Sequence, residues 1–296
     1  LDISGPIESL FGIDISFWLD YHILNGYNVP EIKGKYMIID CHTHLECSER
    51  GDVRLDHTEM CEKLDGCFVM AGLGPNRQAV NQDLEDYVTG NKKAYGFANI
   101  NPVEDDVRPK SVKNLTLDRG LPGAVLYCAE NQFHPAHSRA MRFYEAAQQL
   151  GLIVYFHNCP PYSPQAVLDY AQPWLIDEVA RTFPELKIIV GRVGMPFFWQ
   201  TESLLAKHKN VYADLTIHPQ RIWRTYNIVV SAYEAGVMDK MLFGSGFPYA
   251  QPEACIETLL GFNKMLADTN LPQVPREKLR SIVERETLTL FGLKNS

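Results

Sequence analysis

Apolar residues gather in eight short runs: "MIID" at 37, "GCFVMAG" at 66, "AYGFANI" at 94, "GAVLYC" at 123, "LIVYFHN" at 152, "LKIIVGRVG" at 186, "VYADLTI" at 211 and "KMLFGSGFP" at 240. They are continuous rather than alternating and rich in β-branched and aromatic residues. This is the pattern of strands covered on both faces, as in a parallel sheet. Helical patterns lie between them. In "HSRAMRFYEAAQQLG", for instance, Met141, Tyr144, Glu145 and Leu150 sit around a helix that stops at Gly151. Eight strand–helix units predict a (β/α)8 TIM barrel over 37–296, because an open doubly wound sheet would show the same alternation with fewer strands. Neither GxGxxG after the first strand nor GxxxxGK[ST] occurs, which removes the usual nucleotide-binding reasons for an open sheet. Residues 1–36 precede the first strand and carry Phe11, Phe17, Trp18 and Leu19, so this extension is expected to dock on the barrel or on a second subunit of a homo-oligomer.

A net charge of −8 and the lack of a basic run oppose binding to nucleic acid and point to a small-molecule partner. No stretch reaches the roughly 18 to 20 apolar residues of a membrane span, and the N-terminus has no basic start followed by an apolar core. Seven cysteines without a CxxC pair do not suggest a disulfide framework, and a reducing, cytoplasmic setting is expected.

In a barrel of this kind the chemistry lies at the carboxyl ends of the strands. The first run continues as "IIDCHTHLE", with His42 and His44 two apart; on a strand such residues share a face. Random placement of nine histidines gives roughly 0.3 such pairs, so the spacing is weak by itself. His157 ends the fifth run, and three histidines at strand ends favour a metal site over satisfied core residues. The other polar residues in these positions are Glu46, Glu130, Asn158, Arg192, Asp214, His218 and Ser245.

The chain resembles the amidohydrolase-related TIM-barrel enzymes through "IIDCHTHLE", "FYEAAQQLGLIVYFHN" at 143–158, "FPELKIIVGRVGMPF" at 183–197, "NVYADLT" at 210–216, "LFGSGFPYAQPE" at 242–253 and the closing "TLFGL". That family includes metal-dependent hydrolases and decarboxylases of the aminocarboxymuconate and resorcylate type. The resemblance spans about 37–293. It implies a divalent metal, Zn²⁺ foremost, on His42, His44 and His157. It also implies a histidine where Arg192 stands, an aspartate where Gly246 stands and an asparagine where Glu286 stands.

These departures weaken the expected metal site, since Gly246 removes an anion and Arg192 adds a cation. Glu46 shares the parity of the histidine pair and Asp214 ends the seventh run, so either is a candidate replacement carboxylate; a solvated acid or a helix cap is the alternative for each. Arg192 is expected either in an ion pair with Glu46, Glu130 or Asp214, or as the binder of an anionic substrate. The reading adopted is a metal-dependent hydrolase of a small carboxylated compound. A metal-dependent decarboxylase, a metal-free lactonase-like enzyme and a non-catalytic binding paralogue remain as alternatives.

Overall fold

The computed structural model of the protein describes residues 37–45, 53–158 and 160–294. The expected docking of residues 1–36 lies outside them, as does Glu46. Each apolar run forms a strand: β1 (Ile39–His44), β2 (Gly66–Met70), β3 (Ala94–Asn99), β4 (Gly123–Leu126), β5 (Ile153–Phe156), β6 (Lys187–Val190), β7 (Val211–Asp214) and β8 (Met241–Leu242). All neighbours pair in parallel and in sequence order. β8 is short, and the residues after it make the seam with β1. The Cys41 N–H donates to the Phe243 carbonyl at 2.8 Å, the His44 N–H to Phe247 at 2.9 Å and the Gly246 N–H to His42 at 2.9 Å. The sheet thus closes into a (β/α)8 TIM barrel.

Around it run α1 (Val53–Glu62), α2 (Arg77–Gly90), α3 (Pro109–Leu115), α4 (Ser138–Leu150), α5 (Ile176–Thr182), α6 (Phe198–Lys207), α7 (Ile222–Glu234), α8 (Pro252–Met265), α9 (Arg276–Val283) and α10 (Thr287–Phe291). The helix expected before Gly151 is α4. Its core stripe is Ala140, Phe143, Tyr144 and Ala147, at i, i+3, i+4 and i+7, whereas Met141 and Leu150 are half-buried and Glu145 is exposed. None of the described helices is long and apolar enough to cross a membrane.

Strand side chains divide between two cores. Ile39, Phe68, Phe97, Val125, Ile153, Ile189 and Leu242 point into the barrel, and Leu288 and Phe291 of α10 join that cluster. Their strand neighbours Val69, Ala98, Leu126, Val154, Ile188 and Val190 belong to the layer between sheet and helices. Burying each large apolar side chain contributes about 1.5–3 kcal/mol, which makes the barrel a rigid frame for the residues above it.

Candidate active site

The histidine pair owes its direction to an irregularity in β1. Ile39 pairs with Gly66 and Asp40 with Cys67, but Thr43 pairs with Val69, so Cys41 and His42 together stand opposite Phe68. Such a bulge shifts the alternation by one residue. Thr43, which simple alternation from Ile39 and Cys41 would turn inward, instead bonds outward to the Phe68 carbonyl and to His57 on α1. His42 and His44 consequently turn into the barrel mouth. There they meet His157, which follows β5 in phase with Ile153 and Tyr155. The three Nε2 atoms lie 3.0 Å (His42–His44), 3.1 Å (His42–His157) and 3.2 Å (His44–His157) apart.

Asp214, at the end of β7, stands behind this trio. Its Oδ1 is 3.0 Å from His42 Nδ1, and Thr216 Oγ1 donates to the same oxygen. Its Oδ2 accepts from the Tyr155 hydroxyl and, at 2.8 Å, from the Arg192 backbone N–H. Burial pushes the carboxyl up, but His42 and the hydrogen bonds from His42, Thr216 and Tyr155 outweigh it and hold the group below the usual carboxylate range. Asp214 therefore faces the Nδ1 side of His42, away from the converging Nε2 atoms, and not the position of the replacement carboxylate for which the sequence made it a candidate.

Arg192 departs from its expected position on a strand. β6 stops at Val190, and residues 191–194 form a tight turn in which Arg192 (φ 47°) and Val193 (φ 49°) are left-handed. A β-branched residue there is a genuine outlier. Gly191 opens the turn because a Cβ would lie 2.7 Å from the Tyr155 ring. The guanidinium makes no salt bridge with Glu130 or Asp214, and among the described residues no carboxylate oxygen lies within salt-bridge reach of it; Glu46 lies outside them. It donates through Nη1 to the Pro160 carbonyl and through Nη2 to His218 Nε2, both at 2.6 Å. Burial, then the Arg192 charge, lower the His218 pKa to about 4, so this imidazole is the neutral acceptor.

His42, His44, His157, Arg192, His218 and Gly246 share one cavity of about 150 Å³. Glu130 also reaches it, its carboxylate accepting from the Ser163 backbone and hydroxyl. Gly246 has φ 70°. Tyr155 and Thr216 are not among the strand-end residues picked out by the sequence, and His218 is there but without a role. Tyr155 carried a usable signal, since it shares the parity of His157; it reads as a core aromatic instead.

The sequence profile of the Amidohydrolase family matches residues 116–285, more than half of the chain. The chain belongs to the amidohydrolase family. His157, Arg192, Asp214 and Gly246 fall inside the matched span, while His42 and His44 precede it. A search of curated proteins gives no match. Solved structures of similar fold include one described as a probable 2-pyrone-4,6-dicarboxylic acid hydrolase from Acinetobacter baumannii with citric acid bound (TM-score 0.58, 18% identity, covering 86% of this chain and 99% of that one). Others are 5-carboxyvanillate decarboxylase from Sphingomonas paucimobilis (0.59, 11%, 88% and 100%) and dihydroorotase from Campylobacter jejuni (0.61, 15%, 88% and 84%). At these identities the likeness is one of fold.

The histidine trio fits a divalent cation. Three mutually adjacent imidazole nitrogens cannot all hydrogen-bond one another, because each carries either one proton or one lone pair. A cation among them satisfies all three, and tetrahedral ligation at about 2.0–2.1 Å puts nitrogens roughly 3.3 Å apart, near the observed spacing. Burial, then the His42 imidazole, push His44 well below its ordinary pKa, and Arg192 adds to the effect; His157 is lowered by burial, His42, His44 and Arg192 in turn. Both are neutral at pH 7, the form that ligates.

Proposed function

We propose that this amidohydrolase is a metal-dependent hydrolase of a small carboxylated compound, with a divalent ion on His42, His44 and His157 and the substrate carboxylate on Arg192. The observation that carries the reading is the juxtaposition, in one small cavity, of three converging imidazoles and a guanidinium that, among the described residues, donates only to a carbonyl and a neutral imidazole. Three nitrogen donors with room for a fourth ligand suit Zn²⁺. Such an ion supplies Lewis-acid activation of a carbonyl or of water. Arg192 retains N–H groups for a carboxylate, a charge-assisted contact that its planar fork favours. His218, neutral, steadies the fork by accepting from Nη2. Glu130, which lines the cavity, and Glu46 are the carboxylates to take a proton from the attacking water, since Asp214 faces the Nδ1 side of His42 and does not line the cavity. A cavity below the roughly 300 Å³ of ordinary ligand clefts supports a small substrate. The dicarboxylic acid in the name of one fold neighbour agrees with an anionic one.

Decarboxylation of a similar acid is the second reading. It is favoured by the engagement of Asp214 and the bare Gly246, because losing CO₂ requires no base to activate water.

The test is elemental analysis of protein purified without chelators, followed by a screen of small lactones, esters and amides bearing a free carboxylate and of aromatic carboxylic acids, scoring both acid release and CO₂. Stoichiometric zinc lost in His42→Ala, with turnover of a carboxylated lactone, ester or amide, is expected. CO₂ release alone selects the second reading. Turnover that persists in metal-stripped protein overturns the metal-dependent mechanism, and zinc-loaded protein inert to the whole panel overturns catalysis of this class.

A further inference from the structure

We infer that Asp214 is a positioning residue that ties the two halves of the site together, fixing the tautomer of His42 with one oxygen and the turn that presents Arg192 with the other. The inference rests on the proposed metal site and assigns a part to a residue that does not itself line the ligand trio.

Around Oδ1 stand His42 Nδ1 at 3.0 Å and the Thr216 hydroxyl; around Oδ2 stand the Tyr155 hydroxyl and the Arg192 N–H at 2.8 Å. An ionised carboxylate only accepts, so the His42 proton belongs on Nδ1 and its Nε2 presents a lone pair to the cavity. The Arg192 N–H is a fixed donor in a left-handed turn that non-glycine residues adopt only at a cost, and the bond to Oδ2 helps hold it there. Four elements meet on this carboxylate: β1 through His42, β5 through Tyr155, the end of β6 through Arg192, and β7, which carries it.

An amide at this position cannot serve both sides. If the oxygen of an Asn faces Arg192 and the Tyr155 hydroxyl, its NH₂ faces His42 Nδ1, and the Thr216 hydroxyl, 2.8 Å from Nδ1 and no longer drawn to a carboxylate oxygen, turns its proton there too; Nδ1 then accepts, and the proton moves to Nε2 and blocks the metal. If the amide is reversed, its NH₂ opposes the Arg192 N–H, donor against donor. His42 can exchange tautomers, whereas a peptide N–H cannot stop donating, so the first arrangement is expected.

Asp214→Asn should therefore weaken zinc binding about ten- to hundredfold in a chelator competition, the range typical of lost outer-shell partners. Its His42 should change from the Nδ1–H to the Nε2–H tautomer in ¹⁵N spectra of histidine-labelled, metal-free protein. Malonate affinity of the metal-free protein should stay within about twofold, because the Arg192 turn is kept, and Asp214→Ala should weaken both zinc and malonate. Tyr155→Phe, which keeps the carboxylate but removes both a donor to it and the hydroxyl 2.9 Å from His42 Nδ1, should keep the Nδ1–H tautomer; it decides the matter if Asp214→Asn does not fold, because a switched tautomer would assign the role to Tyr155 and overturn the inference. A purely structural role predicts a lower Tm with zinc affinity and His42 tautomer unchanged in Asp214→Asn, and that result overturns the inference. Absence of zinc binding in the parent protein is distinguishable, because it refutes the metal site while the parent tautomer still reports on Asp214.

Discussion

Replacing Gly246 by Asp tests whether the site lacks only an anion. Gly246 has φ 70°, and a Cβ added to it would lie 2.9 Å from Thr216 Cγ2. Left-handed backbone costs an aspartate about 1 kcal/mol relative to glycine, and the tight contact adds about 1–2 kcal/mol. Gly246→Asp should thus be about 2–3 kcal/mol less stable than the parent without metal, a fall in Tm of roughly 5–10 °C for a domain of this size. With zinc the ranking should change. An added carboxylate ligand that tightens binding about hundredfold returns about 2.7 kcal/mol once zinc is in excess of both dissociation constants. Melting curves in EDTA and in excess zinc read both quantities on one sample. Thr216→Ser in the same chain removes Cγ2, keeps the hydroxyl on Asp214 and should restore about half of the metal-free loss. An equal deficit with and without zinc would show that the new side chain does not reach the ion, and no recovery from Thr216→Ser would refute the steric part.

Arg192→Met should weaken binding of small carboxylic acids about ten- to hundredfold while leaving their amides unaffected; a large drop in Tm with acid preference intact would make the guanidinium structural instead. His57 and His218 are both held near pKa 4, the first by burial and the second by burial and then Arg192. The unfolded chain binds those protons near 6.5, so the stability they confer is complete above that pH and is lost as pH falls towards 4. Buried Asp40, raised by desolvation to about 6, acts with the opposite sign between 6 and 3.8 but offsets only one proton. Urea titrations at pH 7, 5.5 and 4.5 should show declining stability in metal-free protein, and a flat or rising series contradicts this balance. Gly191→Ala should cost about 1–3 kcal/mol by driving a methyl group against the Tyr155 ring; a neutral substitution would mean that the turn yields more easily than its contacts imply.

The barrel was legible because parallel strands buried on both faces must be written in apolar residues, and eight such runs leave few architectures. β8 was legible as a run but not as a two-residue strand, since the residues that follow it bond to β1 singly. The histidine pair was visible by spacing. Its inward direction was not, because the bulge at Cys41 and His42 has no glycine or proline to announce it. Arg192 was misplaced for a similar reason: nothing in "GRVG" signals that Arg and Val, residues that avoid left-handed backbone, will both adopt it. Asp214 was noticed as an acid at a strand end, yet its bonds come from β1, β5 and β6, distant segments that sequence order cannot bring together.

The seam of the barrel runs through the histidine pair itself. His42 accepts from the Gly246 backbone and His44 donates to Phe247, so the main chain of the histidine pair is the weld between the first strand and the last. A fragment ending before β8 would contain all three histidines and still lack their alignment. Contacts spanning roughly two hundred residues are slow to form. Capacity to hold metal would then be acquired only when the ring shuts, and uptake of an ion would serve as a readout of a completed chain.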